Sequence, residues 1–559
     1  MSVASSRVTN LSSLIRRDIS SQIINKPNRV CYRPPKNFKH ILYGYKFETK
    51  REYDNMISSL RGGAIKDNDL VNFLDETRQY VTLLDCGHTI FVQTLVEIKW
   101  LDRSPDLIST YKTFVEDLVC AQVKYARTVF DHLVKLFKPV VEDNQEHKAK
   151  ELTLQDTERL NHIHEILSKI LNVVPMSRKC LLYSIESQYP YITHSTYIHE
   201  VYIHALLNIL YYAPYLRSDI LSIVINGLSS LDVNITKNKK DCEELYDVLD
   251  ADNDNAATVN NDADKAEHVQ LIEHTLDACM DIFLGFIHKF CFINHVNLNK
   301  QNLKILYHDI LTAFDKVLLR IDRTQYVQYI GLYFCSIKHV ITAFIDYLWK
   351  KMVDWNEAPV IRQSAASYIS SLVASASYIT PETLKSTICR LADWIHEYIG
   401  TDETSNSYVD LKLHNIFYSV CQAFFYLFIA KHEELIKTRY DILFVQQLDI
   451  PRIISCKLNP LVVCDSEIVR KFSNITKMYQ LAYCDAIIED NARKQLPVFG
   501  EQELLLSNFF PFESCILQRS RHWITPLLNS NAINASNQSK NTSTDVPELS
   551  NYDVVFDSV

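Results

Sequence analysis

Between Asp67 and Ser230 one helical pattern follows another with little room for anything else. "LVNFLDETRQYV" gives way to "TIFVQTLVEIKWL", then to "DLISTYKTFVEDLV" and "AQVKYARTVFDHLVKLF". In each, apolar residues recur at spacings of three and four over about 12 to 18 positions, as they do in amphipathic helices, and short polar joints separate them. Further pairs occupy 153–186 and 194–230, with Pro190 and Pro214 at joints, and the pattern resumes from Val269 to about Ala492. With 9 Gly and 16 Pro in 559 residues, the chain lacks the turn chemistry that a sandwich or barrel requires. The expected fold is all-α. The helix pairs recur at roughly 40 residues, so the expected architecture is a HEAT-like repeat solenoid of antiparallel pairs, with room for about ten repeats.

The stretch "APVIRQSAASYISSLVASASYIT" (358–380) sharpens this expectation. About half of it is Ala, Ser or Thr. Pro359 starts a helix, Arg362 is placed to tie neighbouring turns, and Ile369 and Leu372 fill a core. Ala365 and Ala366 let other helices approach closely, so this helix should have neighbours on several sides. Ser370 is expected to face solvent.

Charge is concentrated in one place. The formal net charge is −9, and the segment from Asp241 to Glu267 holds ten acidic residues against Lys265 alone, which leaves the rest of the chain neutral. A neutral remainder argues against sequence-independent nucleic-acid binding through a broad basic face. The expected organisation is a disordered N-terminal segment (1–40), N-terminal repeats (41–237), an acidic disordered linker (238–268), C-terminal repeats (269–528) and a disordered tail (529–559). The longest apolar run, around "CQAFFYLFIA" (421–430), is too short to span a bilayer, and the opening residues lack the apolar core of a signal peptide. A reducing, soluble compartment, cytosol or nucleus, is expected.

Chemistry is hard to find. No phosphate-binding loop, GxSxG elbow, HExxH or dinucleotide fingerprint is present, and the 14 Cys form no CxxC pair. "SSLRGGAIKD" (58–67) has paired glycines but no preceding strand, and no Lys-Ser/Thr follows. Cys335 and His339 share a helical face at i, i+4 but sit in an apolar run that reads as packing, while His194, His199 and His204 are spaced by five and share none. The expectation is a binding protein with no catalytic residues, no cofactor and no metal. Ser104, in "WLDRSPDLIS", fits a proline-directed phosphorylation site and, more simply, a helix N-cap followed by Pro105 at the first helical position. The aromatic segment "NFFPFESCILQRSRHWITPL" (508–527) offers Phe509, Phe510 and Phe512 as a docking patch or as packing onto the last repeat.

Several stretches in order, "WKKMVDWNEAPVIRQSAASYISSLVASASYI", "NIFYSVCQAFFYLFIAKHEEL", "KLNPLVVCDSEIVRKFSNITKMYQLAYCDAIIEDNARKQLPV" and "FFPFESCILQRS", resemble the RNA polymerase I-specific transcription initiation factor family of the TIF-IA type. "WLDRSPDLISTYKTFVEDLVCAQ" and "GLSSLDVNI" extend the resemblance to roughly residues 40–528. It implies a non-enzymatic HEAT-repeat factor of the nucleus and nucleolus. Such a factor binds the stalk subunits of RNA polymerase I and joins the enzyme to promoter-bound core factor, with its TFIIB-related component, at ribosomal RNA genes. It also implies self-association of the free factor, an acidic insertion, no strong direct binding to nucleic acid and no membrane contact. Phosphorylation control is implied at polymerase-facing turns, which here fall at "LLDCGHT" (83–89), "LVCAQ" (118–122) and "VPMSRK" (174–179). The chain departs from the family there. Asp85, Cys86, Cys120 and Ala121 stand at serine-like positions, which leaves Ser177 as the favoured regulatory residue and a candidate N-cap. The alternative reading is a HEAT-repeat nuclear transport receptor or general protein-interaction scaffold whose acidic loop binds basic cargo.

Overall fold

The computed structural model describes residues 37–45, 49–62, 65–139, 152–249, 259–294, 297–321, 324–337, 340–402, 413–494, 510–512 and 517–529, the backbone alone at 238–249 and 259–267. Among these the chain is helical, with 23 α-helices, seven short 3-10 helices and one hairpin pairing Phe292–Ile293 with Asn297–Leu298. Two compact units are present. One holds the described residues up to Leu136 together with 153–188; the other holds 137–139, Leu152 and those from Tyr189 onward. Helical backbone runs through Leu249 and restarts at Val259, so it enters both ends of the acidic segment.

In the first unit each helix packs on the second one along the chain. Lys50–Arg61, Thr89–Val96, Ala126–Lys135 and Arg178–Ser187 form one succession; Asp67–Gln79, Pro105–Ala121 and Leu154–Val173 form the other. The pattern follows from amphipathicity. On Pro105–Ala121 the residues Leu107, Tyr111, Phe114, Val115 and Leu118 are buried on one stripe, each worth roughly 1.5–3 kcal/mol when fully removed from water. The ring of Trp100 stacks on Tyr111 at 4.8 Å, and the Tyr111 hydroxyl donates to Val96 O at 2.6 Å.

In the second unit Val259–Cys291 packs on Thr196–Tyr212 and on Arg217–Leu249, and Arg217–Leu249 packs on Lys300–Lys316. Gly227 of that helix lies beneath the Tyr189 ring, where a Cβ would stand 2.1 Å from the nearest ring carbon, so only glycine fits. Five positions on, Asp232 is fully buried and its carboxylate accepts from the backbone N–H groups of Gln325, Tyr326 and Val327 at 2.8–3.0 Å.

The small-residue helix is Pro359–Ser375. Val340–Val353 packs on it on one side and Asn415–Leu435 on another, and Ala365, Ala366, Ile369 and Leu372 are all buried. Arg362 is buried too, donating to Met352 O at 2.8 Å with its guanidinium 4.9 Å from the centre of the Trp355 ring. Ser370 does not face solvent: it is 0% exposed, and its hydroxyl donates back to Ala366 O. A third neighbour of this helix is not helical: residues near the C-terminus run along its Tyr368, Ser371 and Ser375 face, where the N–H of Phe512 donates to the Ser371 hydroxyl.

Candidate functional site

The three turns singled out in the sequence lie in the first unit, and the structure builds an edge from them. At the first, the Asp85 carboxylate accepts from Gly87 N–H at 2.8 Å, and the ring of Tyr45 lies so close to Gly87 that a side chain there would displace it. The second turn sits beside it: Gln122 donates to Thr82 O at 3.0 Å, the Tyr125 hydroxyl donates to Asp85 O at 2.5 Å, and the Lys124 ammonium lies 3.7 Å from the Cys86 sulfur. The third turn joins through the helices that start there. Arg127, opening Ala126–Lys135, sits over the ring of Tyr183 in Arg178–Ser187 at 4.1 Å, and the Ser184 hydroxyl donates to Asp131 at 2.6 Å.

The second and third turns share one backbone design. Gln122 and Val174 have φ near −130° and ψ near 75°, each returns its N–H to the carbonyl four residues back, and each is followed by a three-residue 3-10 helix. Ala213 repeats this geometry in the second unit. Such a turn closes a helix without glycine, which explains how the chain manages with nine.

The edge is apolar and cationic. Ile90, Val123, Val173, Met176 and Tyr183 project into solvent, with Met176 85% exposed, and Lys124, Arg127, Arg178 and Lys179 are exposed around them. Cys86 and Cys120 are exposed as well. Exposed aromatic and Met residues with Arg, gathered on one strip, have the composition of protein-binding surfaces. Met176 was legible in the sequence only as a turn residue beside Pro175; its exposure comes from the 3-10 turn, which points the residue before Ser177 outward.

Ser177 itself points inward. It is 1% exposed, its hydroxyl donates to Val174 O at 2.6 Å, and it makes no side-chain cap to the following helix. It is therefore not presented for modification in this conformation, and its oxygen is not a capping oxygen. Ser104 does occupy an N-cap position with Pro105 after it, and is half-buried, but its side chain makes no cap bond. Asp67 takes the Ser104 N–H at 3.2 Å and pairs with Arg103 at 3.0 Å instead. Phe510 and Phe512 are buried against the chain's own rings, the first stacked on Tyr426 at 3.8 Å, the second beside Tyr329 and Tyr368, so neither is offered to a partner. They pack on the middle of the second unit and not only on its last helices. Phe509 lies outside the described residues, as does His339; Cys335 is buried in apolar surroundings that push its thiol pKa up. Burial holds His164 and His199 near pKa 4, so both are neutral core residues at pH 7. Among the described residues no group of His, Cys, Asp and Glu is arranged to hold a metal, and no helix is long and apolar enough to cross a membrane.

Among the described residues the chain is predominantly helical, and its first unit exposes a strip of apolar and cationic turn residues. Residues 39–530 match the family described as RNA polymerase I specific transcription initiation factor RRN3, and the chain belongs to that family. It is 30% identical to the RNA polymerase I-specific transcription initiation factor RRN3 of Mus musculus, across 93% of this chain and 84% of that one. It is 23% identical to the rrn3 factor of Schizosaccharomyces pombe, across 82% and 79%. The fold is similar to a crystal structure of RNA polymerase I transcription initiation factor Rrn3, with a TM-score of 0.64 at 18% identity, covering 89% of this chain and 98% of that one.

Proposed function

We propose that this chain is a nuclear initiation factor that binds RNA polymerase I and, without catalysis of its own, joins it to promoter-bound core factor at ribosomal RNA genes. The family match across residues 39–530 carries this reading. The helix packing supports a HEAT-like solenoid, second neighbour on second neighbour in the first unit and consecutive as well as alternate helices together in the second, with the acidic segment an insertion within the second unit. We assign the polymerase-facing surface, toward the stalk subunits, to the turn edge of the first unit, because its exposed Met176, Val123 and Ile90 have no structural use there. Core factor, with its TFIIB-related component, is assigned to surfaces outside this edge, and nucleolar residence and self-association of the free factor follow from the same reading. Ser104, the half-buried serine, remains the candidate for charge control, whereas Ser177 has to be uncovered first.

The test is capture of RNA polymerase I from nuclear extract on the immobilised full chain. The wild type is expected to retain the polymerase, and Val123→Asp with Met176→Asp to retain less by about tenfold or more at unchanged melting temperature. Failure of the wild type to retain it refutes the function. Full retention by the double variant refutes the surface.

A further inference from the structure

A stack of helix pairs touches only its neighbours, so its curvature rests on many soft local contacts. The second unit contains something such a stack does not need. Residues 510–512 and 517–529 form a strap that reaches back over helices from Thr196–Tyr212 to Asn415–Leu435. Its backbone is read directly: Ser377 N–H donates to Leu527 O at 2.8 Å, and Asn529 N–H to Ser375 O at 2.9 Å. Its aromatic anchors are Phe510, Phe512 and Trp523, the last packed on Tyr333 and His288.

The polar centre is Asp277, buried on Val259–Cys291. One of its oxygens accepts from Arg519 N–H at 2.5 Å; the other accepts from both the N–H and the hydroxyl of Ser520, each at 2.7 Å. Arg519 is the cation between two further acids, pairing with Glu200 at 2.7 Å and Asp281 at 3.4 Å, and the Trp523 indole donates to Asp281 at 2.9 Å. His522 stands 3.7 Å from Asp281 on the exposed side. Three carboxylates are thus held by one guanidinium and a set of dipoles, and Ser520, 0% exposed, supplies two of those dipoles.

We propose that this strap is a charge-gated latch that fixes the helices of the second unit against one another, and that Ser520 is the position where an added negative charge opens it. An anion at Ser520 removes a donor from Asp277 and sets two like charges in contact away from water, the arrangement that buried acids tolerate least. A phosphate there carries −1.5 to −2 charges; because Ser520 is as buried as Ser177, it can be added only while the strap is lifted, and it then holds the latch open. The aromatic anchors are unchanged by the charge, so the opening is local to the latch and leaves the helices themselves formed.

The experiment is hydrogen–deuterium exchange of the full chain, read at 517–529 and at Asn415–Leu435. Ser520→Asp is expected to lose protection in the strap by about tenfold or more, since a buried network is broken, while Asn415–Leu435 keeps its protection. Ser520→Asn, of the same size and neutral, is expected to stay close to wild type, as is the exposed control Gln518→Asp. Adding Asp277→Asn to Ser520→Asp should restore protection, because an amide can donate to the new carboxylate. Unchanged protection in Ser520→Asp overturns the proposal, and so does equal loss in Ser520→Asn, which makes the effect one of packing. Should Ser520→Asp fail to fold, the double variant decides: a folded chain with a protected strap supports the latch, and an unfolded one overturns it.

Discussion

The two units are held together over different lengths of chain. In the first, the longest side-chain ties among the described residues span 53 positions, as from Asp131 to Ser184 or from Lys112 to Glu165. In the second, Asp232 reaches 93 to 95 positions ahead, Asp277 reaches 242 and 243, and Glu200 reaches 319. The first unit is a succession of local contacts with exposed turn residues. The second is closed by buried carboxylates that grip groups far along the chain. Long ties and buried carboxylates thus go together in one unit and are missing from the other among the described residues.

The contrast breaks most readily at the buried acids. Asp232→Ala leaves three buried N–H groups without their acceptor and is expected to cost about 3–5 kcal/mol, against about 1–2 for Asp67→Ala in the first unit, whose partners lie partly in water. Urea unfolding followed by a probe in each unit measures both; equal costs would remove the distinction. Next in size is the third turn. Ser177→Asp puts a carboxylate at a 1% exposed position and is expected to destabilise the first unit by about 2–4 kcal/mol, while Met176→Ser beside it changes stability by less than about 0.5. Two similar melting curves would mean that the turn opens freely and that Ser177 is accessible after all. The smallest effect sharpens the packing of Pro359–Ser375. Ala366→Leu and Ser370→Leu should each cost roughly 1–3 kcal/mol, because both faces are occupied. A neutral Ser370→Leu would show that the packing around that position has room for a larger side chain.

Helices, their order and the close approach at Ala365 and Ala366 were legible because a 3.6-residue period and small side chains are local signals. Positions set by distant partners were not. Ser370 looked solvent-facing because a small polar residue carries no local sign of burial; its helix is packed by Val340–Val353, by Asn415–Leu435 and, at the neighbouring Ser371, by Phe512 from 141 positions ahead. Phe510 and Phe512 looked like a docking patch for the mirror reason, since their partners Tyr426, Tyr368 and Tyr329 precede them by 84 positions or more. Ser177 followed the cap pattern of Ser before a basic helix start, yet the 3-10 turn in front of it rotates the hydroxyl back onto Val174 O. The segments 83–89, 118–122 and 174–179 do fall at joints between helices, but which of their residues meet solvent depends on turn geometry that single-residue preferences do not encode.

Asp277 also sets a clock for the newborn chain. Its helix leaves the ribosome with a carboxylate destined for burial, and the groups that satisfy it, on Arg519 and Ser520, are made 242 and 243 residues later. At translation speeds of about 5–20 residues per second that is an interval on the order of 10–50 s. During it, Tyr329, Tyr333, Tyr368 and Tyr426 are synthesised with their aromatic covers still missing. A nascent chain in that interval exposes those rings to water, and one truncated before residue 510 keeps them exposed. Residues 510–529 thus cover a surface laid down long before them.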